Sequence, residues 1–401
     1  MLTGHSLVYF GPEKWNGLWR NRHHLMSRFA EHNKVMYVEP KIYLRDARRR
    51  WREGDLRRQD LKQARVTQAT SHLYVYHNPG FLPISGRWPL DRMSWSLYKG
   101  LLKRTMGELG FDRPIIWVSR PEMGDLMSGF DEALTIYHVV DEYLSYHRDD
   151  VEARKRHQVM ERQILAKADV VIVVSESLLK AKRPFNEHTY LVPNGVDYQA
   201  YAQVLEGHEP PPPDIAQLRR PVIGYSGSIK TRLDLGLLHH VAAVHPEWSI
   251  ALVGQVGERG CEVDLARLRG MKNVHFLGRK EIGQVARYVQ AFDVCLIPYR
   301  VDERAQNASP LKLYDYLALG KPVVSTGFAV ATQFGDVVRI ADDRAAFTQQ
   351  IEEALCEEDQ DLAVQRRRIA AQNTWENRVD ELSRIIESHL VEDGRKAGGS
   401  V

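Results

Sequence analysis

Four consecutive prolines, Pro210 to Pro213, constrain the fold of this chain more than any other stretch. Each removes a backbone donor and fixes φ, so the run cannot sit in a core helix or an inner strand and reads as a stiff, extended connector. With its polar flanks, Gly207-His208-Glu209 and Asp214, it predicts a linker over 206–220. On each side the same alternation repeats: a short apolar run, a turn, an amphipathic stretch. A chain of 401 residues is too long for one hydrophobic core. Alternating strands and helices predict an open parallel sheet wound on both faces. The expected fold class is α/β, with two doubly wound, Rossmann-like domains and a cleft between them.

The first domain, 1–205, begins with a strand at Ser6–Phe10, a loop from Gly11 to Gly17 and an amphipathic helix over 18–31. Strands follow at 34–38, 73–76, 115–118, 134–138 and 170–174, with helices at 93–109 and 152–168. The second domain, 221–372, has strands at 222–225, 249–253, 274–277, 294–297 and 323–325. Three of these lead into glycine, at Gly227, Gly254 and Gly278, the end where open α/β sheets place ligands. A helix over 373–393 carries Trp375, Val379, Leu382, Ile385 and Ile386 at helical spacing and is expected to pack back toward the first domain. Residues 394–401 read as a disordered tail.

The stretch 307–324 carries the clearest chemistry. Ser309 reads as an N-cap and Pro310 as the first helical residue; Leu311, Leu313, Tyr314, Leu317 and Ala318 form an apolar face, and Gly320 is the stop. A helix N-terminus with free amides, Lys312 on its first turn and Asp315 one turn later suits a nucleoside diphosphate. The amides and Lys312 would face phosphate oxygens, and Asp315 would accept hydrogen bonds from ribose hydroxyls. An ordinary capped helix–strand unit has the same signature.

Cys261, Cys295 and Cys356 match no metal or disulfide spacing. No apolar run approaches the ~20 residues of a membrane span. There is no Walker loop, no dinucleotide-binding glycine fingerprint, no His-Glu-x-x-His and no Gly-x-Ser-x-Gly. No metal or resident cofactor is expected. The net charge of +3 hides an asymmetry: residues 1–200 carry 31 Lys and Arg against 24 Asp and Glu, or +7, and the remainder 24 against 28, or −4. Much of the excess lies in 41–65, with ten basic and four acidic residues. This suggests an anionic partner, a membrane surface or an acidic acceptor, rather than a nucleic acid; a solvated charged helix would look the same. The expected location is cytoplasmic, peripheral at the inner face of the cell membrane.

Five motifs occur in order: Val173-Val-Ser-Glu-Ser-Leu178, Pro193-Asn-Gly-Val-Asp197, Val274-His-Phe-Leu-Gly278, Asp293-Val-Cys-Leu-Ile-Pro298 and the stretch 309–324. Through them the sequence resembles the group 1 (family 4) glycosyltransferases, most strongly from about residue 169 to 326. The resemblance implies a GT-B fold with a C-terminal closing helix. It implies a nucleotide-sugar donor, a UDP-sugar, on the second domain at Gly227, Ser228, Gly254, Gly278, Tyr299, Asn307, Ser309, Lys312, Leu313 and Asp315. A saccharide or lipid-linked acceptor would lie on the first domain, near Gly11, Trp15, Arg22 and His23. Metal would not be needed, because amides, Lys312 and a helix dipole would stabilise the departing diphosphate. Two positions depart from the family pattern. Asn307 stands where members commonly have glutamate, and Ser228 where they have arginine, with Lys230 and Arg232 nearby. The pattern is similar to a subgroup acting on bacterial cell-surface polysaccharide, including inverting relatives.

In the first domain, Tyr137-His138-Val139-Val140-Asp141-Glu142 closes a predicted strand. Asp141 could deprotonate an acceptor hydroxyl and His138 contact the sugar or its phosphate; a helix cap and a packed histidine are the plain alternatives. The function expected is transfer of a sugar from a nucleotide-sugar to a cell-surface polysaccharide or lipid-linked saccharide. The alternatives are a sugar-nucleotide epimerase on the same fold and a non-catalytic sugar-nucleotide or polysaccharide-binding subunit.

Overall fold

The computed structural model describes residues 1–41, 65–78, 90–147, 150–207 and 209–398. The basic segment, apart from Lys41 and Arg65, lies outside the described residues. The chain forms two compact units, Met1–Val192 with Arg378–Val401, and Pro193–Asn377.

Unit 1 is built on an eight-stranded sheet in the order β3-β4-β2-β1-β5-β6-β7-β8. The strands are β1 Ser6–Phe10, β2 Lys34–Val38, β3 Arg65–Gln68, β4 Leu73–His77, β5 Ile115–Val118, β6 Leu134–Val139, β7 Val170–Val173 and β8 Thr189–Leu191. Runs such as Ile-Ile-Trp-Val in β5 and Val-Val-Ile-Val in β7 are buried along their whole length, as strands covered on both faces must be. The sheet is parallel except at one edge. β3 pairs antiparallel with β4, because residues 69–72 between them make only a tight turn, closed by Ala69 N donating to Leu73 O at 2.8 Å. The first helix is shorter than the apolar pattern predicts, Asn21–Phe29 rather than 18–31, because Arg20 stays extended as its N-cap.

Unit 2 has a six-stranded parallel sheet, β11-β10-β9-β12-β13-β14. These are β9 Val222–Ser226, β10 Ser249–Val253, β11 Val274–Gly278, β12 Val294–Ile297, β13 Val323–Thr326 and β14 Arg339–Ala341. In both units the first strand stands mid-sheet and the winding reverses beside it, between β1 and β5 and between β9 and β12. These are the switch points at which such sheets open a crevice.

The four prolines are not a linker between the units. They lie inside unit 2, which begins at Pro193. Pro213 opens the short helix Pro213–Ala216, and Asp214 accepts from Lys280 Nζ at 2.6 Å and Tyr288 Oη at 2.7 Å. The Pro210 carbonyl takes Arg287 at 2.8 Å. A proline lacks a donor but keeps its acceptor, so the run lies along the Ile282–Gln290 helix through its carbonyls and flanks. The second crossing falls within the helix Trp375–Gly398, between Asn377 and Arg378. That helix continues through 394–398, part of the expected tail: a glycine inside it, Gly394, costs a helix only about 1 kcal/mol, and the second, Gly398, ends it. Among the described residues no helix is long and apolar enough to cross a membrane.

Candidate functional site

At the switch point of unit 2, β9 ends in Ser226-Gly227 and β12 is followed by Pro298-Tyr299. Gly227 bends with φ +138° and Gly254, after β10, with φ +150°, in the region that favours glycine. Gly227 N donates to Val253 O at 2.8 Å and Gly254 N to Gly278 O at 2.9 Å, so the three strand-end glycines form one continuous rim.

Lys312 lies over this rim. The helix that carries it is Leu311–Ala318, and its N-cap is Pro310, not Ser309. The Ser309 carbonyl instead receives Asn194 Nδ2 at 2.6 Å, which ties the Pro193–Asp197 turn to the entry of the helix. Its buried hydroxyl has no hydrogen-bond partner. Lys312 Nζ donates to Tyr299 Oη at 2.7 Å and stands 5.0 Å from the ring centres of both Tyr225 and Tyr299. Burial works against its charge, but the two tyrosines outweigh it and its pKa is raised, so Lys312 remains a cation. Burial would push the Tyr299 phenol up, yet Lys312 and Arg232 together bring it below its ordinary value. The result is a fixed positive centre beside a bend that has no side chain, the arrangement an oxyanion would meet.

Other expected donor residues have internal duties. Leu313 is buried in the core and its amide donates to Pro310 O at 3.2 Å, so that amide is not free for phosphate. The amide of Asn307 donates from Nδ2 to Glu303 O at 2.7 Å, at the end of the short helix Glu303–Gln306. The Ser228 carbonyl accepts from Tyr225 Oη at 3.1 Å. Asp315, expected to meet ribose, takes a hydrogen bond from Tyr201; burial pushes its pKa up to about 7, with Tyr201 and Lys312 only partly opposing. Tyr225, Tyr201 and Asn194 belong to this site's framework; Asn194 stood in the Pro193–Asp197 motif without a site role, and the two tyrosines were not singled out from sequence. Tyr225 stands two residues before the rim glycine, the one signal that could have found it.

At the switch point of unit 1, the register Phe10, Val118, Tyr137 across β1, β5 and β6 brings Gly11, Ser119 and His138 to one edge. A side chain on Gly11 would overlap the Tyr37 hydroxyl. Trp15 is buried, its amide donating to Glu39 Oε1 at 3.1 Å and its ring packed on His23 at 4.7 Å. His23 is a structural histidine rather than an acceptor contact: Nδ1 accepts from Arg20 N at 2.9 Å and Nε2 donates to Trp15 O at 2.9 Å. Burial, aided by Arg22, lowers its pKa to about 4. Arg22 is buried and donates to Glu13 Oε2 at 2.8 Å.

His138 is buried beside Trp117, ring centres 5.7 Å apart, and burial lowers its pKa to about 3; its Nε2 has no hydrogen-bond partner. Asp141 lies two residues beyond β6, half-buried, its carboxylate accepting the Glu142 amide at 3.0 Å. Behind it Lys182 Nζ is 2.9 Å from both Glu142 and Glu161, all three buried, which anchors the turn after Asp141 to the core.

The family described as Glycosyl transferases group 1 matches residues 220–357. TuaH of Bacillus subtilis (strain 168), named as a teichuronic acid biosynthesis glycosyltransferase, is 28% identical over 225 residues, 54% of this chain and 56% of that protein. The match thus spans about half the length of this curated relative. Among solved structures, sucrose-phosphate synthase from Thermosynechococcus elongatus aligns with a TM-score of 0.70 and 17% identity, covering 97% of this chain and all of that one. Anabaena Alr3699/HepE in complex with UDP aligns at 0.63 and 14%, covering 96% and 100%. WaaG, a glycosyltransferase involved in lipopolysaccharide biosynthesis, aligns at 0.57 and 16%, covering 96% and 99%. At these identities the structures establish the fold. Two wound units, a glycine rim under a fixed cation and these likenesses agree: the chain has the GT-B fold, and its residues 220–357 are a glycosyl transferases group 1 domain.

Proposed function

We propose that the chain transfers a sugar from a nucleotide-sugar, a UDP-sugar, to a saccharide acceptor of cell-surface polysaccharide or its lipid-linked precursor, without a metal. The observation that carries this is the Lys312 ammonium, hydrogen-bonded to Tyr299 over the Gly227 bend at the switch point of unit 2. A diphosphate leaving from that position would find its charge met by a cation already in place, which is where catalysis gains most. The UDP named in the HepE structure and the teichuronic acid named for TuaH support the donor and acceptor classes.

In this reading unit 1 holds the acceptor and Asp141 removes the proton of its hydroxyl. Asp141 is a carboxylate at the carboxyl edge of β6, on a turn held by Lys182. His138, three residues earlier and kept neutral by burial, does not supply the proton. Thermal stabilisation by UDP-, GDP- and dTDP-sugars tests the donor, since a ligand at 100 times its Kd adds about 2.7 kcal/mol. UDP release that requires a saccharide acceptor separates a transferase from an epimerase or a binding subunit. UDP release unaffected by every acceptor tried, or no stabilisation by any nucleotide-sugar, would overturn the reading.

A further inference from the structure

Unit 2 holds an open cleft of about 450 Å³ that the Lys312 rim does not account for. Its walls are the start of the helix Leu235–Val244, the helix Glu262–Arg269, Arg300 and Val301 after β12, and the head of the helix Arg344–Leu355. That volume falls in the range of roughly 300–1,000 Å³ typical of small-molecule sites. Neither Lys312 nor the strand-end glycines line it. Two adjacent residues part at this point. Tyr299 meets Lys312 at 2.7 Å, whereas Arg300 sends its guanidinium to Asp264, on the Glu262–Arg269 helix, at 3.5 Å.

Three guanidinium groups, of Arg267, Arg300 and Arg344, line the cleft against two carboxylates, Asp234 and Asp264. Asp234 caps its own helix, Oδ1 accepting the Leu237 amide at 2.8 Å. Asp264 is divided between Arg300 and Arg267, the second at 3.9 Å and beyond hydrogen-bond reach. Arg300 is held by Nε donating to Leu233 O at 3.2 Å, which leaves most of its other N–H groups unused. Among the described residues the Arg344 guanidinium has no hydrogen-bond or ion-pair partner, and neither has the half-buried His239 ring. Arg344 lies across Gly236, where a β-carbon would come within 3.0 Å of its Nη2. The missing side chain keeps the floor beneath that guanidinium open.

Forked donors in excess of their carboxylates match the oxygens of a phosphoryl group. The free oxygens of Asp234 and Asp264 and the His239 ring can accept from hydroxyl groups. No Phe, Tyr or Trp is among the lining residues, so a nucleobase would find nothing to stack on. We propose that this cleft is a second binding site, separate from the donor rim, for a small hydroxylated phosphate ester of the sugar-phosphate class. Arg267, Arg300 and Arg344 take its phosphoryl group, and Asp234, Asp264 and His239 take its hydroxyls. The inference stands on the cleft alone and does not rest on the transferase reading.

Glucose 6-phosphate, glycerol 3-phosphate and inorganic phosphate are the probes, each titrated calorimetrically into the full chain at fixed ionic strength. At least one ester should bind more tightly than inorganic phosphate, and unphosphorylated glucose should not bind. Arg344→Gln should weaken the ester roughly tenfold or more. Gly236→Leu alters no charge but fills the floor under Arg344, and should weaken it as much. Lys312→Ala should leave ester affinity unchanged, as should Arg368→Gln, an exposed arginine on the helix Gln360–Gln372. Thermal melts show whether each variant is folded, and Arg267→Gln supplies the second comparison should Gly236→Leu melt early. Unchanged affinity in the cleft variants overturns the site. So does a loss confined to Lys312→Ala, which would put the phosphate on the rim. Binding by neither ester overturns it as well, and inorganic phosphate binding as tightly as both esters would reduce the cleft to an anion patch and overturn the assignment.

Discussion

A β-carbon on Gly254 would overlap the carbonyl oxygen of Gly227. The two residues follow neighbouring strands; Gly254 must be bare for the Gly227 carbonyl to pass, and Gly227 for Lys312 and Tyr225 to close over it. Gly254→Ala should therefore push the Gly227 bend toward Lys312 and add strain at a positive φ, destabilising the protein by about 1–3 kcal/mol. Thermal melts and UDP titration together check it. A normal melting temperature with normal UDP affinity would show that the rim has slack.

Removing the cation should weaken nucleotide binding and, with it, turnover. Hydrogen bonds to charged groups contribute about 1.5–3 kcal/mol, so Lys312→Ala should weaken UDP by roughly ten- to a hundredfold. Tyr299→Phe loses only the hydroxyl that aims the ammonium, and a smaller loss, on the order of 1 kcal/mol, is expected. Calorimetry that finds the tyrosine variant weaker than the lysine variant would reverse their roles.

Asp141→Asn should lose about 10²–10⁴-fold in turnover with UDP affinity intact, if this carboxylate takes the acceptor's proton in an inverting displacement. NMR of the product's anomeric proton reports the stereochemistry. A retained anomer, or an active variant, removes Asp141 from that role.

Asp315 predicts a pH dependence of definite sign. Its folded pKa of about 7 lies above the ordinary 3.8, so folding favours the protonated form. The stability it contributes is complete below pH 3.8 and is lost as pH rises through 7, with a slope approaching about 1.4 kcal/mol per pH unit in between. His138 has the opposite sign. Its pKa falls from 6.5 to about 3, so its contribution is present above pH 6.5 and is lost on acidification. Between pH 7 and 5, hydrogen exchange should show these two groups shifting unit 2 and unit 1 in opposite directions. Asp315→Asn should flatten the unit 2 response, and an unaltered slope in that variant would exclude the carboxyl as its cause.

Lys182 offers a purely structural test. Lys182→Met leaves Glu142 and Glu161 buried without their cation, which should cost about 3–5 kcal/mol. Denaturant unfolding measures it, and a loss below about 1 kcal/mol would mean that water reaches the pair.

The two wound sheets were legible because parallel strands buried on both faces leave near-continuous apolar runs, as in β5 and β7, and because glycine marks where β9, β10 and β11 end. The place of Lys312 on the first turn of its helix was legible too, from the proline before it and the apolar spacing after it. What the sequence hid depended on contacts far apart in the chain. Ser309 precedes a proline and looks like a cap, but Asn194, 115 residues earlier, holds its carbonyl. Asp315 looks like a ribose ligand until Tyr201 is found beside it. The proline run read as a linker because composition reports stiffness, whereas membership of unit 2 was decided by Lys280, Arg287 and Tyr288. His23 was named for its place near the first loop, and both of its nitrogens are used by backbone groups.

Unit 2 is one uninterrupted stretch, whereas unit 1 is assembled from two, Met1–Val192 and Arg378–Val401. As the chain is synthesised, the eight strands of unit 1 emerge first but lack their last helix. His389, which meets Tyr190 Oη at 3.0 Å and the His188 ring at 4.8 Å, does not yet exist. The whole of unit 2 must be made before that gap can close. At about 5–20 residues per second, the early sheet waits on the order of ten seconds or more with that flank uncovered. Unit 1 is thus first in sequence and last to be completed, and the ribosome's pace over unit 2 sets how long its exposed flank is open to chaperones or to aggregation.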